Sequence, residues 1–237
     1  RGPDGENFFL NDTLGLAHNR LSIVDLSKNG QQPFFSPDGY IPAMFNAEIS
    51  AGSLLLPESR RLARLLRTKP SPEAWNAALY EDNLLQKKPA TAKRQATLIR
   101  KRLETLDAEA WNLIADGEAE IASQLLLAAA IRHSSLLGEF LRTVYGPALL
   151  RLDAQLTPVV WESFLTDCAQ QDPAVGRWAA STRTKLYQVG MRILAETKYL
   201  ASTRQPLLTP PMLHPVVKQQ LIRLGAQDTL KVMDFHR

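Results

Sequence analysis

Cysteine is almost absent from this 237-residue chain: Cys168 stands alone. That excludes an internal disulfide and makes a reducing, cytoplasmic setting the expectation. Long apolar runs are also missing. The longest, Leu125 to Ile131, is seven residues, against the roughly 20 that a membrane-crossing helix needs. No basic-apolar-small leader opens the chain, so no export signal is expected. The histidines are few and scattered, at His18, His133, His214 and His236. None sits at ligand spacing from Cys, Asp or Glu, so no metal is expected. There is no G-x-x-x-x-G-K-[ST] loop for a nucleotide and no G-x-S-x-G elbow for a nucleophile. Neither a catalytic residue, a cofactor nor a small-molecule substrate is expected.

What is present is an ordinary soluble composition, 45% apolar and 22% charged, with charge distributed in blocks. Residues 1–50 hold 3 basic and 6 acidic side chains, residues 51–104 hold 12 and 5, residues 105–180 hold 4 and 10, and residues 181–237 hold 9 and 3. Two basic blocks around an acidic one point to an anionic partner more strongly than a net charge of +4 does.

The pattern changes near residue 50. Before it, Asn11-Asp12 between apolar runs predicts a hairpin of Phe8–Leu10 with Leu14–Ala17. Gly30, Pro33, Pro37 and Gly39 then break the chain, and Tyr40–Phe45 reads as a third short strand. After it the period is helical. Pro57 and Glu58 open a helix with Leu62, Leu65 and Leu66 on one side and Arg60, Arg64 and Arg67 on the other. Further helices are expected after Ser71-Pro72-Glu73, over 90–106, after an Asp107 N-cap, over the apolar 118–132, and over 134–145 up to Gly146-Pro147. Pro158, a Ser181 cap and Pro215 open three more, and Gly225 ends the last. A β-wing joining Tyr199-Leu200 to Leu207-Leu208, and a strand or tail over Leu230–Phe235, complete the reading. The expected fold is an all-α, compact multi-helix bundle over 50–237, with lobes at 50–152 and 153–237 left open, preceded by a β-prone fragment over 1–49.

The basic residues recur at helical spacing. Arg60, Arg61, Arg64, Arg67 and Lys69 form one stripe. Lys87, Lys88, Lys93, Arg94, Arg100, Lys101 and Arg102 form a second, and Arg183, Lys185, Arg192 and Lys198 a third. Cations so spaced can neutralise successive phosphates along a duplex, so an anion-binding role is expected. The bland alternative is a solvated surface with i,i+4 ion pairs such as Glu58–Arg61 and Glu104–Lys101. Acidic residues are sparse between 59 and 103, so local pairs cannot neutralise the stripes. Joint reversal of Arg60, Arg64 and Arg67 to glutamate is expected to weaken duplex binding without unfolding.

Two resemblances follow from quoted segments. Arg1-Gly2-Pro3-Asp4, His18-Asn19-Arg20-Leu21-Ser22-Ile23-Val24-Asp25, Gln32-Pro33 and Asn46-Ala47-Glu48 resemble the glutaminase domain of class II, asparagine-synthase-type amidotransferases. The resemblance implies that Arg20 would bind the glutamine carboxylate. It implies that Asn46, in the Asn-Ala-Glu48 piece, would serve an oxyanion hole, with Ala47 where the family has glycine. The nucleophile, an N-terminal cysteine, is missing, so glutaminase activity is not expected. The segment Ser53 to Ser59, the arginine helix after it, and Val189 to Glu196 resemble the BrxA family of BREX bacteriophage-exclusion systems. That resemblance implies a NusB-like helical fold, cytoplasmic residence, DNA binding and work beside other BREX proteins. A protein–protein scaffold and RNA binding remain as alternatives.

Overall fold

The computed structural model describes residues 5–10, 15–20 and 45–235. The chain divides into two compact units, Arg1–Met44 and Phe45–Arg237. In the first, β1 (Gly5–Leu10) pairs antiparallel with β2 (Gly15–Arg20), with Phe8 opposite Ala17 and Leu10 opposite Gly15. This is the expected hairpin with longer strands. Of the strand expected at Tyr40–Phe45, residues 40–44 lie outside the described residues.

Phe45 belongs to the helical unit. It is buried, and its N–H donates to the carboxylate of Asp172 at 3.0 Å. Ile49, within a 3₁₀ turn over Glu48–Ala51, is buried in the same core. The unit therefore begins before the change of pattern at residue 50. Asn46, Ala47 and Glu48 fold with the helices.

The unit is all α. Helix α1 (Leu56–Arg67) carries Pro57 in its first turn and buries Leu62, Ala63 and Leu66. Helix α2 (Pro72–Asn76) is capped by Ser71, whose hydroxyl accepts the Ala74 N–H, and runs into a π-helical turn, Ala77–Glu81. Then follow α3 (Pro89–Leu103) and α4 (Ala108–Asp116), the latter capped by Asp107 as expected. Helix α5 (Ala119–His133) is buried on all sides from Leu125 to Ile131, which places it at the centre.

Helix α6 (Ser135–Phe140) does not stop at Gly146-Pro147. A π-helical turn over Leu141–Tyr145 carries it into α7 (Gly146–Leu150). The Gly146 N–H bonds the Leu141 carbonyl, and this widened turn spares the proline ring its usual clash with the preceding turn. Gly146 is needed for packing: a Cβ there would meet Phe235 Cε1 at 2.6 Å.

Helix α8 (Pro158–Gln171) is followed by α9 (Pro173–Gly176) and α10 (Ala180–Glu196). Ser181 lies inside the first turn of α10 and does not cap it. The wing forms as single bridges, Leu200 to Leu208 and Gln155 to Leu207. Helix α11 (Pro215–Arg223) gives way at Gly225, whose φ of +64° suits a residue without Cβ. The next segment is a helix and not the strand or tail expected: α12 (Gln227–Met233) takes up Leu230, and Phe235 packs on Tyr145 and Tyr199.

Candidate nucleic-acid interface

The first basic stripe turns inward onto a neighbouring helix. Arg60 donates to the Gly117 carbonyl at 2.7 Å and Arg64 to the Ala115 carbonyl at 2.7 Å. Arg64 Nε also donates to Asp116 Oδ1 at 3.0 Å, and Arg67 donates to the other oxygen of Asp116. Arg61 reaches the opposite way, to the Leu84 carbonyl and Gln86 Oε1, both at 3.1 Å. Three guanidinium groups thus cover the carbonyl-rich, electronegative end of α4. Arg64, then Arg67, hold the Asp116 carboxyl below the usual carboxylate range. This changes the expected outcome of reversing Arg60, Arg64 and Arg67: carboxylates would face Asp116 and the ends of α4, and stability would fall. Lys69, past the end of α1, is exposed and has no side-chain partner among the described residues.

Helix α3 presents the second stripe. Lys93, Thr97 and Lys101 stand one turn apart and form a ridge. On one side lies a hollow of about 420 Å³ that Arg94, Ser50 and Leu98 help to line. On the other is a hollow of about 320 Å³ lined by Trp75, Tyr80 and Arg100, among others. Lys93 and Arg94 are exposed and have no side-chain partner among the described residues. Arg100 sits 4.7 Å from the centroid of the Trp75 ring and donates through Nε to Glu104 at 2.7 Å. Lys101 donates to both oxygens of Glu48 at 2.9 Å, and His133 Nε2 lies 3.0 Å from Glu48 Oε2. Glu104 pairs with Arg100 and Glu58 with Lys87, not with the partners that spacing alone suggested.

Arg102 leaves the stripe altogether. It is 2% exposed and donates to the carbonyls of Ser53 at 2.5 Å and Gly52 at 3.0 Å. Burial lowers its pKa to about 10, against the pull of the Glu196 charge, so it is ionised at neutral pH. Glu196, the last residue of α10, holds the same connector from the other side. Its Oε1 accepts from Ser53 Oγ at 2.9 Å and its Oε2 from the Leu54 N–H at 3.0 Å. Residues Gly52–Leu54 are therefore clamped between α3 and α10. The two segments that carried the helical resemblance, Ser53–Ser59 and Val189–Glu196, meet here. No charge pattern announces Arg102 and Glu196 as a pair. The only signal in the sequence is the joint presence of those two segments.

The third stripe divides in the same way. Arg183 donates to Glu162 Oε2 at 2.8 and 2.6 Å, and Lys198 lies 3.2 Å from Glu120. Lys185 and Arg192 are exposed on α10, without side-chain partners among the described residues. Seven residues apart, they share a helix face. Helices α3 and α10 both pack on the Glu48–Ala51 turn, so one connector fixes both sets of free cations.

Of the glutaminase-like positions, Arg20 ends β2 opposite Gly5 in the first unit. Asn46 and Glu48 lie in the helical unit, where Asn46 Oδ1 accepts the Glu48 N–H at 3.1 Å. Cys168 is buried, and burial pushes its thiol up to about 12, which keeps it protonated. Among the described residues no group of three or more His, Cys, Asp or Glu is placed to hold a metal ion, and no helix is long and apolar enough to cross a membrane.

The Glu48 cluster has a pH signature. The Lys101 hydrogen bond, with smaller help from His133, lowers the Glu48 pKa from its ordinary 4.5. A depressed carboxyl adds stability that is fully present above 4.5 and is lost as pH falls through the folded value. His133 is likewise depressed from 6.5, mainly by burial, so its protonation on acidification also opposes folding. Glu48→Gln should flatten the fall of Tm below the ordinary carboxylate pKa, measured by thermal melts across that range. Parallel curves for the two proteins would remove Glu48 from the acid response.

Comparison with known proteins divides the chain in the same region. The family model described as BrxA matches residues 43–225, and one described as a glutamine amidotransferase domain matches residues 1–69. The chain is 40% identical over 161 residues to "BREX protein BrxA" of Paramagnetospirillum magneticum, covering 68% of this chain and 81% of that one. A crystal structure of an uncharacterized protein from Magnetospirillum magneticum superposes with a TM-score of 0.75 at 34% identity, covering 81% of this chain and 99% of that one. Over 49 residues the chain is 53% identical to "Asparagine synthetase [glutamine-hydrolyzing] 2" of Bacillus subtilis, which is 21% of this chain and 6% of that protein.

Proposed function

We propose a function on the premise that this chain belongs to the BrxA family: the helical unit is a non-enzymatic, double-stranded DNA-binding component of a BREX phage-defence system, working in the cytoplasm. The observation that carries the proposal is the Lys93–Arg94 pair. Both cations are exposed on the α3 ridge and lack an acidic partner among the described residues. Lys185 and Arg192 supply a second pair on α10. Arg100 and Lys101 add partly neutralised charge beside the first. Such groups neutralise backbone phosphates and release counterions, which gives salt-sensitive binding with little sequence selectivity.

Gel-shift titration of a mixed-sequence duplex at two salt concentrations tests this. The expected result is a shift at low salt that weakens steeply at higher salt. No shift, or one indifferent to salt, would overturn the reading.

A second reading, contact with other BREX proteins, has its own observation. Leu150, Leu152 and Val159 are 84%, 89% and 77% exposed, apolar surface that a protein partner could bury. Pull-down of a BREX partner that survives nuclease treatment would support it. RNA offers the same phosphates and is distinguished by competition between duplex DNA and RNA. Glutamine hydrolysis is the weakest reading, because the match to the asparagine synthetase spans 49 residues, 21% of this chain and 6% of that protein.

A further inference from the structure

The hollow beside the α3 ridge has features that binding to duplex phosphates does not use. It holds about 320 Å³, the lower end of the ~300–1,000 Å³ typical of small-ligand pockets. Its walls include both aromatic and cationic groups. Tyr80 is 44% exposed, carried on the π-helical turn after α2. Arg100 covers the Trp75 ring on one side, and Glu104 fixes its Nε. Lys93 forms the rim and belongs to the ridge as well.

From these features we propose that the hollow accepts one unpaired nucleobase of a DNA strand, stacked on Tyr80 beside the Arg100 guanidinium, while the strand's phosphates stay on Lys93 and Arg94. The argument rests on the DNA-binding reading above and extends it to the kind of DNA end or distortion preferred. A base is neutral and flat, and aromatic rings and guanidinium groups both offer faces for stacking. Charge sorts the two parts of the nucleotide. Glu81 and Asp82 are exposed next to Tyr80 in the chain, and Glu104 lines the hollow. Glu81 and Asp82 disfavour phosphate at the Tyr80 side, Glu104 is neutralised by Arg100, and the unpaired Lys93 and Arg94 attract phosphate to the ridge. Interior base pairs have both faces covered by their neighbours, and the terminal pair of a blunt end is too wide for a hollow of about 320 Å³, so the hollow adds little to blunt-duplex binding.

The test compares a blunt DNA duplex with the same duplex bearing a short single-stranded overhang that carries 2-aminopurine. The full chain is expected to bind the overhang form about tenfold more tightly, the size of one base-on-aromatic stack. The 2-aminopurine fluorescence should be quenched on binding. Tyr80→Ala should lose the gain and the quenching but keep blunt-duplex affinity, and Tyr80→Phe should retain all three. If the blunt duplex binds and the overhang adds no affinity, or Tyr80→Ala keeps the gain, this proposal falls and the duplex reading stands. If neither DNA binds, both fall.

Discussion

Replacing Arg102 with methionine is expected to cost about 3–5 kcal/mol of folding stability, the range for removing one partner from a buried charged network. Methionine fills much of the same volume, so the loss is polar and not steric. The buried Ser53 carbonyl would lose its donor, at about 1–3 kcal/mol for a group left unsatisfied, and the half-buried Gly52 carbonyl would lose one as well. Glu196 would lose the cation that balances it across the connector. With an m-value of about 2 kcal/mol/M in urea, the midpoint should fall by about 1.5–2.5 M. Arg102→Lys should fall between, because an ammonium keeps the charge but lacks the fork that reaches two carbonyls. A midpoint shift under about 0.5 M for Arg102→Met would show that the clamp does not hold the two helices together.

The second large effect is on binding. Lys93→Glu with Arg94→Glu is expected to weaken duplex affinity by at least about tenfold at low salt and to make the salt dependence shallower by about two units. Neither side chain has a partner among the described residues, so Tm should stay close to that of the parent. Arg64 and Arg67 provide the contrast. They carry equal charge, but their guanidinium groups are committed to Asp116 and the end of α4. Losing stability with binding would mark Lys93 and Arg94 as structural. Unchanged binding in the double variant would move the interface elsewhere.

Helix starts were legible where one residue type does one local job. Pro57, Ser71, Asp107 and Pro158 each mark a helix start through a missing donor or a cap, and each does so in the structure. Gly146-Pro147 misled because a π-helical turn made room for the proline and Phe235 demanded the glycine. Both causes are tertiary. The basic stripes were legible as periodicity and not as availability. Sparse local acid between residues 59 and 103 says nothing about Asp116, Gly117 or Glu48, which reach the stripes from other elements. Arg102 looked like one more surface cation, yet it is buried against a connector 49 and 50 residues earlier in the chain. The boundary between units was displaced for a related reason. Phe45 and Ile49 continue a β-like run in the sequence, but their side chains find their core among the helices.

The most direct measurement is the affinity of the full chain for duplex DNA across a range of salt concentrations. The four unpaired cations assigned to the interface, Lys93, Arg94, Lys185 and Arg192, predict a log–log slope of about −3.6, at about −0.9 for each phosphate neutralised. A slope near zero, or no binding at low salt, would contradict the account.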